Sequence, residues 1–381
     1  GFDDPIIYDG STWITPTITG VNQQDLNNIT TFKNQVWFTE NDTLKAWYLP
    51  TLSIQGAANY IDMSAVAQLG GYLVNICTWT LDAGYGVDDN LVFITSNGEV
   101  IVYAGTDPSD ATKWSLIGVW RVGKPVGKRC MIKYGGDVVI LTYNGVYPLA
   151  ASLQSSRLDP RIALSDKIQG AFAAATQAYG DTFGWQMILD PKHNALSVNV
   201  PIALGQQQQY VMNNITKAWC NFTGWAANCW EIFENEPYFG ADGYVAHAWD
   251  ETYADDGANI NSNAFQAFNY FESRGVKKYF TRARPSLFTN GAPSVFVGMN
   301  VDFDLQDTTA SLAFSPSNFG LWDTALWDSS YWGTENIISN NWQGITGIGY
   351  CGSTQFKSAS QGVTILWAST DIVYQTGWAG I

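Results

Sequence analysis

An apolar or aromatic run, a tight polar turn and a second apolar run closing on an aromatic recur along this chain, and such a repeat leaves few folds open. The unit spans Val36 to Tyr48 across Glu40-Asn41-Asp42, Leu91 to Tyr103 across Asn97-Gly98, and Val138 to Leu149 across Asn144-Gly145. A looser copy runs from Leu196 to Phe222, and another from Pro237 to Trp249 across Asp242-Gly243. Asn-Gly and Asp-Gly supply the positive φ angles that two-residue hairpin turns need, so tight hairpins are expected at these points. Copies recur at intervals of roughly 40 to 60 residues, the range of propeller blades and solenoid units. The expected fold is therefore all-β: a β-propeller of antiparallel blades, with a second, C-terminal β region and one inserted helix.

Residues 1–31 read as an N-terminal connector, because Thr15-Pro16 and the Asn- and Gln-rich stretch from Asn22 to Asn28 interrupt any long element. Residues 32–250 carry the blades. Tyr72 to Cys77 and Cys130 to Tyr134 precede the second and third hairpins as further strands of four-stranded blades would. Leu164 to Tyr179 breaks the pattern: Ser165 can cap a helix whose Ile168, Phe172 and Ala175 share a face, and Gly180 can end it. Residues 251–381 change character, with the aromatic-rich Ala264 to Phe271, an alternating stretch from Ser294 to Asp304, and terminal strands at Gly347 to Phe356 and Val363 to Tyr374. They form either a second β region or the last blades.

Charged residues make up only 14% of the chain against 14% aromatic, far below the quarter expected of a soluble domain, which points to a surface that meets other proteins. The net charge of −15 argues against gripping nucleic acid through its phosphates, although an acidic lumen would let DNA slide past. The chain lacks a run of about 18 uninterrupted apolar residues, so no membrane segment is expected. Gly1-Phe2-Asp3-Asp4-Pro5 has neither an initiating Met nor a signal pattern, and the chain is expected to be part of something longer. Cys77, Cys130, Cys220, Cys229 and Cys351 are odd in number and contain no Cys-x-x-Cys pair, so buried free thiols are expected over disulfides.

Candidate chemistry is sparse. His193 and His247 are the only histidines, neither stands at metal-ligand spacing with another His or Cys, and no Gly-x-Ser-x-Gly elbow accompanies them. No catalytic, cofactor or metal residue is assigned. Among paired acids, Asp88-Asp89 and Asp255-Asp256 would point to opposite faces of a strand, whereas Asp302 and Asp304 would share one and offer a carboxylate pair for glycoside cleavage. The simpler account of that pair is a solvated outer face. Thr80 to Tyr85 is similar to the Asp-box turn of sialidase propellers, but lacks the following Trp and does not recur. Gln206 to Gln209 reads as a polar loop.

Two basic clusters stand out. Arg121, Lys124, Lys128, Arg129 and Lys133 fall within 13 residues, Arg274, Lys277, Lys278, Arg282 and Arg284 within 11, and together they hold ten of 19 basic residues. In so acidic a chain each can pair with the acidic face of a neighbouring copy or with nearby Asp and Glu of the same chain. Trp322, Trp327 and Trp332 repeat every five residues, a spacing that puts them on opposite faces of either a strand or a helix. A series of turns presenting indoles fits better, for packing between β bodies or for stacking on sugars.

The stretch from Leu91 to Gly170, together with QYVMNNITKAWCNFTGWAANCWEIF (Gln209 to Phe233) and WDTALWDSSYWG (Trp322 to Gly333), resembles a family of structural proteins of tailed bacteriophages. That family is similar to the β-propeller nozzle or hub proteins of short-tailed phages, also called DNA-stabilisation proteins. The resemblance implies a non-enzymatic virion protein of the phage tail, without cofactor, in a ring of six copies below the portal and adaptor proteins. It would continue the DNA exit channel, hold the genome until ejection and carry tail fibre or needle proteins. A receptor- or glycan-binding propeller of the tail is the alternative; a glycoside hydrolase using Asp302 and Asp304 is a third.

Overall fold

The computed structural model describes residues 3–82, 87–154, 159–250, 252–308, 311–312, 337–339 and 341–377. They form two compact units, Gly1–Ala248 and Trp249–Ile381. No helix of the described residues is long and apolar enough to cross a membrane.

The first unit contains five consecutive antiparallel meanders. Strands Leu26–Phe32, Gln35–Glu40, Lys45–Tyr48 and Asn59–Asp62 form the first sheet, and Leu73–Asp82, Val87–Thr95, Glu99–Gly105 and Trp114–Arg121 the second. The third has three strands, Met131–Tyr134, Asp137–Thr142 and Gly145–Pro148. The fourth has Gln186–Asp190, Ala195–Ala203, Gln206–Asn213 and Trp219–Thr223, and the fifth Cys229–Phe233, Glu236–Ala241 and Tyr244–His247. First strands of successive sheets lie beside one another, and Arg129 bridges Gln186 in parallel, so the sheets are blades of a β-propeller radiating from a row of inner strands. Leu26–Phe32, placed by the sequence in the connector, is the inner strand of the first blade.

Apolar clusters fill the gaps between blades, as radial stacking requires. Trp37, Tyr48, Phe93, Ile101 and Tyr103 join the first blade to the second, Val92, Val139, Leu141, Leu196 and Val198 join the second to the fourth, and Trp230 and Phe239 pack with Ile188 between fourth and fifth. Trp114 stacks on Trp37 at 5.6 Å and on Tyr103 at 5.5 Å, an aromatic column across the first gap.

The turns differ in detail from their sequence signals. Asp242-Gly243 is the expected two-residue loop, closed by Ala241 opposite Tyr244. At Asn97-Gly98 the last pair is Ile94 with Val100, and Thr95 Oγ1 accepts from the Glu99 N–H to brace a wider loop. Gly145 is the first residue of the returning strand, with Tyr143-Asn144 as the loop. Turns with two consecutive positive φ angles occur at Lys33-Asn34 and Glu234-Asn235, where no glycine marked them.

The helix is Gln169–Tyr179, preceded by a 3-10 turn at Asp166–Ile168. Ser165 does not cap it, because its Oγ accepts the Val146 N–H at 3.0 Å instead, tying this connection to the third blade. Phe172 and Ala175 are buried in the core as their spacing predicts. Gln206 to Gln209 is no loop: it opens a strand, with Gln207 and Gln209 turned inward.

The second unit is a two-sheet sandwich. One sheet runs Ile260–Phe265, Gly352–Ser360, Val295–Val301, Ser311–Leu312. The other centres on Lys278–Thr289, with Ile365–Thr376 along one side and Gln343–Gly349 and Ile337–Ser339 along the other. Phe280, Leu287 and Ile345 of the second sheet pack on Val295, Val297 and Phe356 of the first. Its strand order is non-consecutive, unlike the meanders of the propeller unit.

Candidate functional site

Four of the five residues in the first basic cluster gather at one end of the blades. In each meander, the start of the first strand, the turn between second and third strands and the end of the fourth strand share an end. Arg121 closes the outer strand of the second blade there, and Lys124, Lys128 and Arg129 follow in the link to the third. All four are exposed, and among the described residues their heads meet only neutral groups. Arg121 Nη2 donates to Gln68 Oε1 at 3.4 Å, Lys128 Nζ to Asn41 Oδ1 at 3.3 Å, and Arg129 Nη1 to Gln186 Oε1 at 2.9 Å. Lys124 Nζ sits 4.8 Å from the centre of the Tyr143 ring. Lys133 stands apart, further along the inner strand, where its charge acts on Cys77 and Asp89.

The second cluster disperses into structural roles. Lys278 is fully buried in the sandwich unit, and its ammonium donates to the carbonyls of Ser273 (2.5 Å), Val276 (2.9 Å) and Tyr350 (3.0 Å), using all three N–H bonds. Arg284 forks onto Asp371 Oδ2 through Nε (3.0 Å) and Nη2 (2.6 Å), with Trp342 over its guanidinium at 4.8 Å. Arg274 lies over Tyr270 and Lys277 over Tyr350, while Arg282 is exposed.

Both histidines occupy the opposite end of the blades. His193 Nδ1 is 2.6 Å from Oδ2 of the buried Asp190. His247 Nε2 lies 3.4 Å from Glu236, whose other oxygen receives Lys192 at 2.5 Å. The Lys192 ammonium, with His247 behind it, holds the Glu236 carboxyl below its ordinary range.

The acid pairs resolve individually. The strand stops at Val301, and Asp302 and Phe303 both take positive φ, so Asp302 and Asp304 belong to a turn and not to one strand face. Asp302 Oδ1 accepts the N–H groups of Tyr350 (2.7 Å) and Cys351 (3.1 Å), a turn-bracing role, and Asp304 receives Gln306 Nε2 at 2.9 Å. Asp89 meets Lys33 at 3.2 Å and the Thr80 hydroxyl at 3.0 Å; partial burial opposes its charge, but these partners bring it below the usual carboxylate range. Asp255 and Asp256 lie in a turn. Trp322, Trp327 and Trp332 lie outside the described residues, as do Ala83 to Tyr85. Of the five thiols, all free, Cys130 and Cys351 are buried and Cys77 and Cys229 half-buried; Cys220 is exposed, contrary to the expectation of buried cysteines. Burial pushes the Cys130 thiol up to about 12.

The sequence reading missed a set of amides that clasp neighbouring inner strands. Asn28 Nδ2 donates to the Val74 carbonyl at 2.5 Å, Asn75 Nδ2 to the Lys128 carbonyl at 3.0 Å, and Gln186 engages both backbone groups of Trp230. Recurrence of Asn or Gln in the first strand of a blade was the available signal. A buried network extends it: Gln209 Nε2 donates to Asn199 Oδ1 (2.8 Å) and to the Trp225 carbonyl (3.1 Å), Asn199 Nδ2 to the carbonyls of Gly184 and Ala227, and Gln207 Nε2 to Asn228 Oδ1.

Fold and side-chain placement define a β-propeller protein with an attached two-sheet unit. No family model matches the chain, and no curated protein matches it. Among solved structures, it is similar to a sialidase of Trypanosoma rangeli in complex with 2,3-difluoro-KDN (TM-score 0.33, 8% identity, 92% of this chain and 84% of that one). A family 43 arabinoxylan arabinofuranohydrolase of Bacillus subtilis in complex with cellotetraose gives TM-score 0.26, 10% identity and coverage of 92% and 95%. The Nup170 N-terminal domain of Chaetomium thermophilum with Nup53 gives TM-score 0.31 and 11% identity over 51% of this chain, which spans only 28% of that structure.

Proposed function

We propose that this chain is a structural virion protein of a bacteriophage tail, in the nozzle or hub below the portal and adaptor, where a ring of copies forms part of the DNA exit channel and retains the genome until ejection. The observation that carries the reading is the basic end of the blades. Arg121, Lys124, Lys128 and Arg129 are exposed and, among the described residues, form no ion pair, in a chain whose net charge is −15. Their positive charges are available to an acidic neighbour, and another copy is acidic. Electrostatic complementarity of this sort orients subunits and steers assembly. DNA would pass through without sequence-specific contacts, because a chain of net charge −15 offers phosphates little to grip. The resemblance to phage structural proteins supplies the location; tail fibre or needle proteins are the further partners.

Image averaging of the parent phage tail by cryo-electron microscopy tests this. The expected result is this chain in a sixfold ring around an axial channel beside the adaptor. Absence from the virion overturns the reading. One observation favours glycan binding by the tail instead: Trp342 is 44% exposed and sits on an Arg284 head locked to Asp371, an aromatic face beside polar groups of fixed geometry. Density at fibre tips, together with binding to host polysaccharide that Trp342→Ala abolishes, would favour that alternative.

A further inference from the structure

The sandwich unit presents two sheet edges that nothing among the described residues covers. Among the described residues, Ile260–Phe265 pairs only with Gly352–Ser360, and all six of its residues are exposed. A strand buried on neither face and paired on one side has its outer N–H and C=O groups open to solvent. Ile365–Thr376 pairs, among the described residues, only with Lys278–Thr289, and it presents Leu366, Ala368, Ser369, Asp371, Val373, Gln375 and Thr376 as exposed positions along its 12 residues.

Proteins ordinarily blunt such edges with lysine, proline or inward-pointing charge. Here Ile260–Phe265 reads Ile-Asn-Ser-Asn-Ala-Phe, without a charge or a proline. Ile365–Thr376 also lacks lysine and proline, and its one charge, Asp371, is neutralised by the Arg284 fork. Two copies carrying −15 each repel one another over most of their surfaces, and they meet at little electrostatic cost where both surfaces are uncharged. These edges satisfy that condition.

We infer that copies of this chain join head to tail by strand pairing, the Ile260–Phe265 edge of one copy against the Ile365–Thr376 edge of the next. The two edges belong to different sheets, so each pairing leaves one edge of each kind open for a further copy. Such a heterologous contact closes into a ring or continues as a filament, depending on the rotation per step. This names the joint of the ring proposed above, yet it holds whether or not the chain resides in a tail.

The test uses two edge variants of the chain, Asn261→Lys/Asn263→Lys and Ser369→Lys/Gln375→Lys, in sedimentation and native mass spectrometry with thermal melting as the folding control. The wild type is expected to form oligomers, and each variant to lose them with its melting temperature unchanged. An equimolar mixture of the two variants is expected to recover dimers and nothing larger, since only one intact joint is possible. A wild type that stays monomeric at its highest soluble concentration, a variant that still oligomerises, or a mixture that stays monomeric overturns the inference. A sixfold tail ring joined through other surfaces would sink this joint and leave the tail reading standing. Complementing edges in a protein absent from the virion would do the reverse.

Discussion

Gln186 and Trp230 hold one another through both ends of a single amide: Gln186 Nε2 donates to the Trp230 carbonyl at 2.8 Å, and Gln186 Oε1 accepts the Trp230 N–H at 2.9 Å. The side chain thereby performs the pairing that a backbone ladder would, between the inner strands of the fourth and fifth blades. Adjacent inner strands diverge too far for a continuous ladder, and a long amide spans what remains. Arg129 donates to the same oxygen, so the third blade joins at this point.

Gln186→Leu is expected to lower unfolding free energy by about 2 kcal/mol, because it leaves both Trp230 backbone groups short of a partner. Urea denaturation checks this. A change under about 0.5 kcal/mol would mean that water replaces the amide without loss.

Lys278→Met should be more severe, about 3 to 5 kcal/mol, since three partly buried carbonyls lose one charged donor together. The expected readout is a lowered thermal transition with altered proteolysis around residues 273–278. An unchanged transition would show that those carbonyls reach solvent.

Glu236 carries a pH signature. Its carboxyl is held below the usual range by Lys192 and then His247, so the stabilisation is present above the ordinary carboxylate value and is lost as pH falls through the lowered one. Glu236→Gln should therefore melt below the wild type at pH 7, and the two curves should converge as pH drops below about 4. A constant difference down to acid pH would assign the effect to packing.

Thiol labelling of the native protein should find one fast cysteine. Cys220 is the exposed one, although its sulfur sits against the Val211 carbonyl and partial burial raises its thiol, whereas Cys130 is wholly buried and its thiol is pushed up to about 12. Cys220→Ser is expected to remove the fast phase in a mass-resolved labelling course. Fast modification of Cys130 would mean that the second-to-third blade contact opens readily.

Gly98→Ala is expected to cost about 1 to 3 kcal/mol from its φ of +83° alone. The cost should exceed that, because the added Cβ would overlap the backbone carbonyl of Gly123 on the neighbouring link. Denaturant midpoints against Gly135→Ala, where φ is +63° and the space is open, separate the two effects.

The sequence alone was enough to determine the local pattern: the five blade hairpins, the helix ending at Tyr179 and the strand from Val295. Hairpins and amphipathic segments depend on alternation and turn chemistry within a dozen residues, and those are written locally. Lys33-Asn34 and Glu234-Asn235 escaped because Asn tolerates positive φ without announcing it as glycine does, and nothing in Lys33 or Glu234 themselves marks the turn. What only the tertiary structure decided was how distant residues share an end, a gap or an edge. Lys278 reads as one of five similar cations and proves to be a buried staple. Arg121, Lys124, Lys128 and Arg129 look like the same kind of cluster, yet remain exposed beside neutral partners. Charge spacing along a chain carries no record of which carboxylates the fold brings near, because those distances arise from pairings between strands far apart in sequence. The edges of Ile260–Phe265 and Ile365–Thr376, open among the described residues, belong to the same class of fact: a strand's pattern states which face it can bury, and only the assembled sheet decides which side is left to pair.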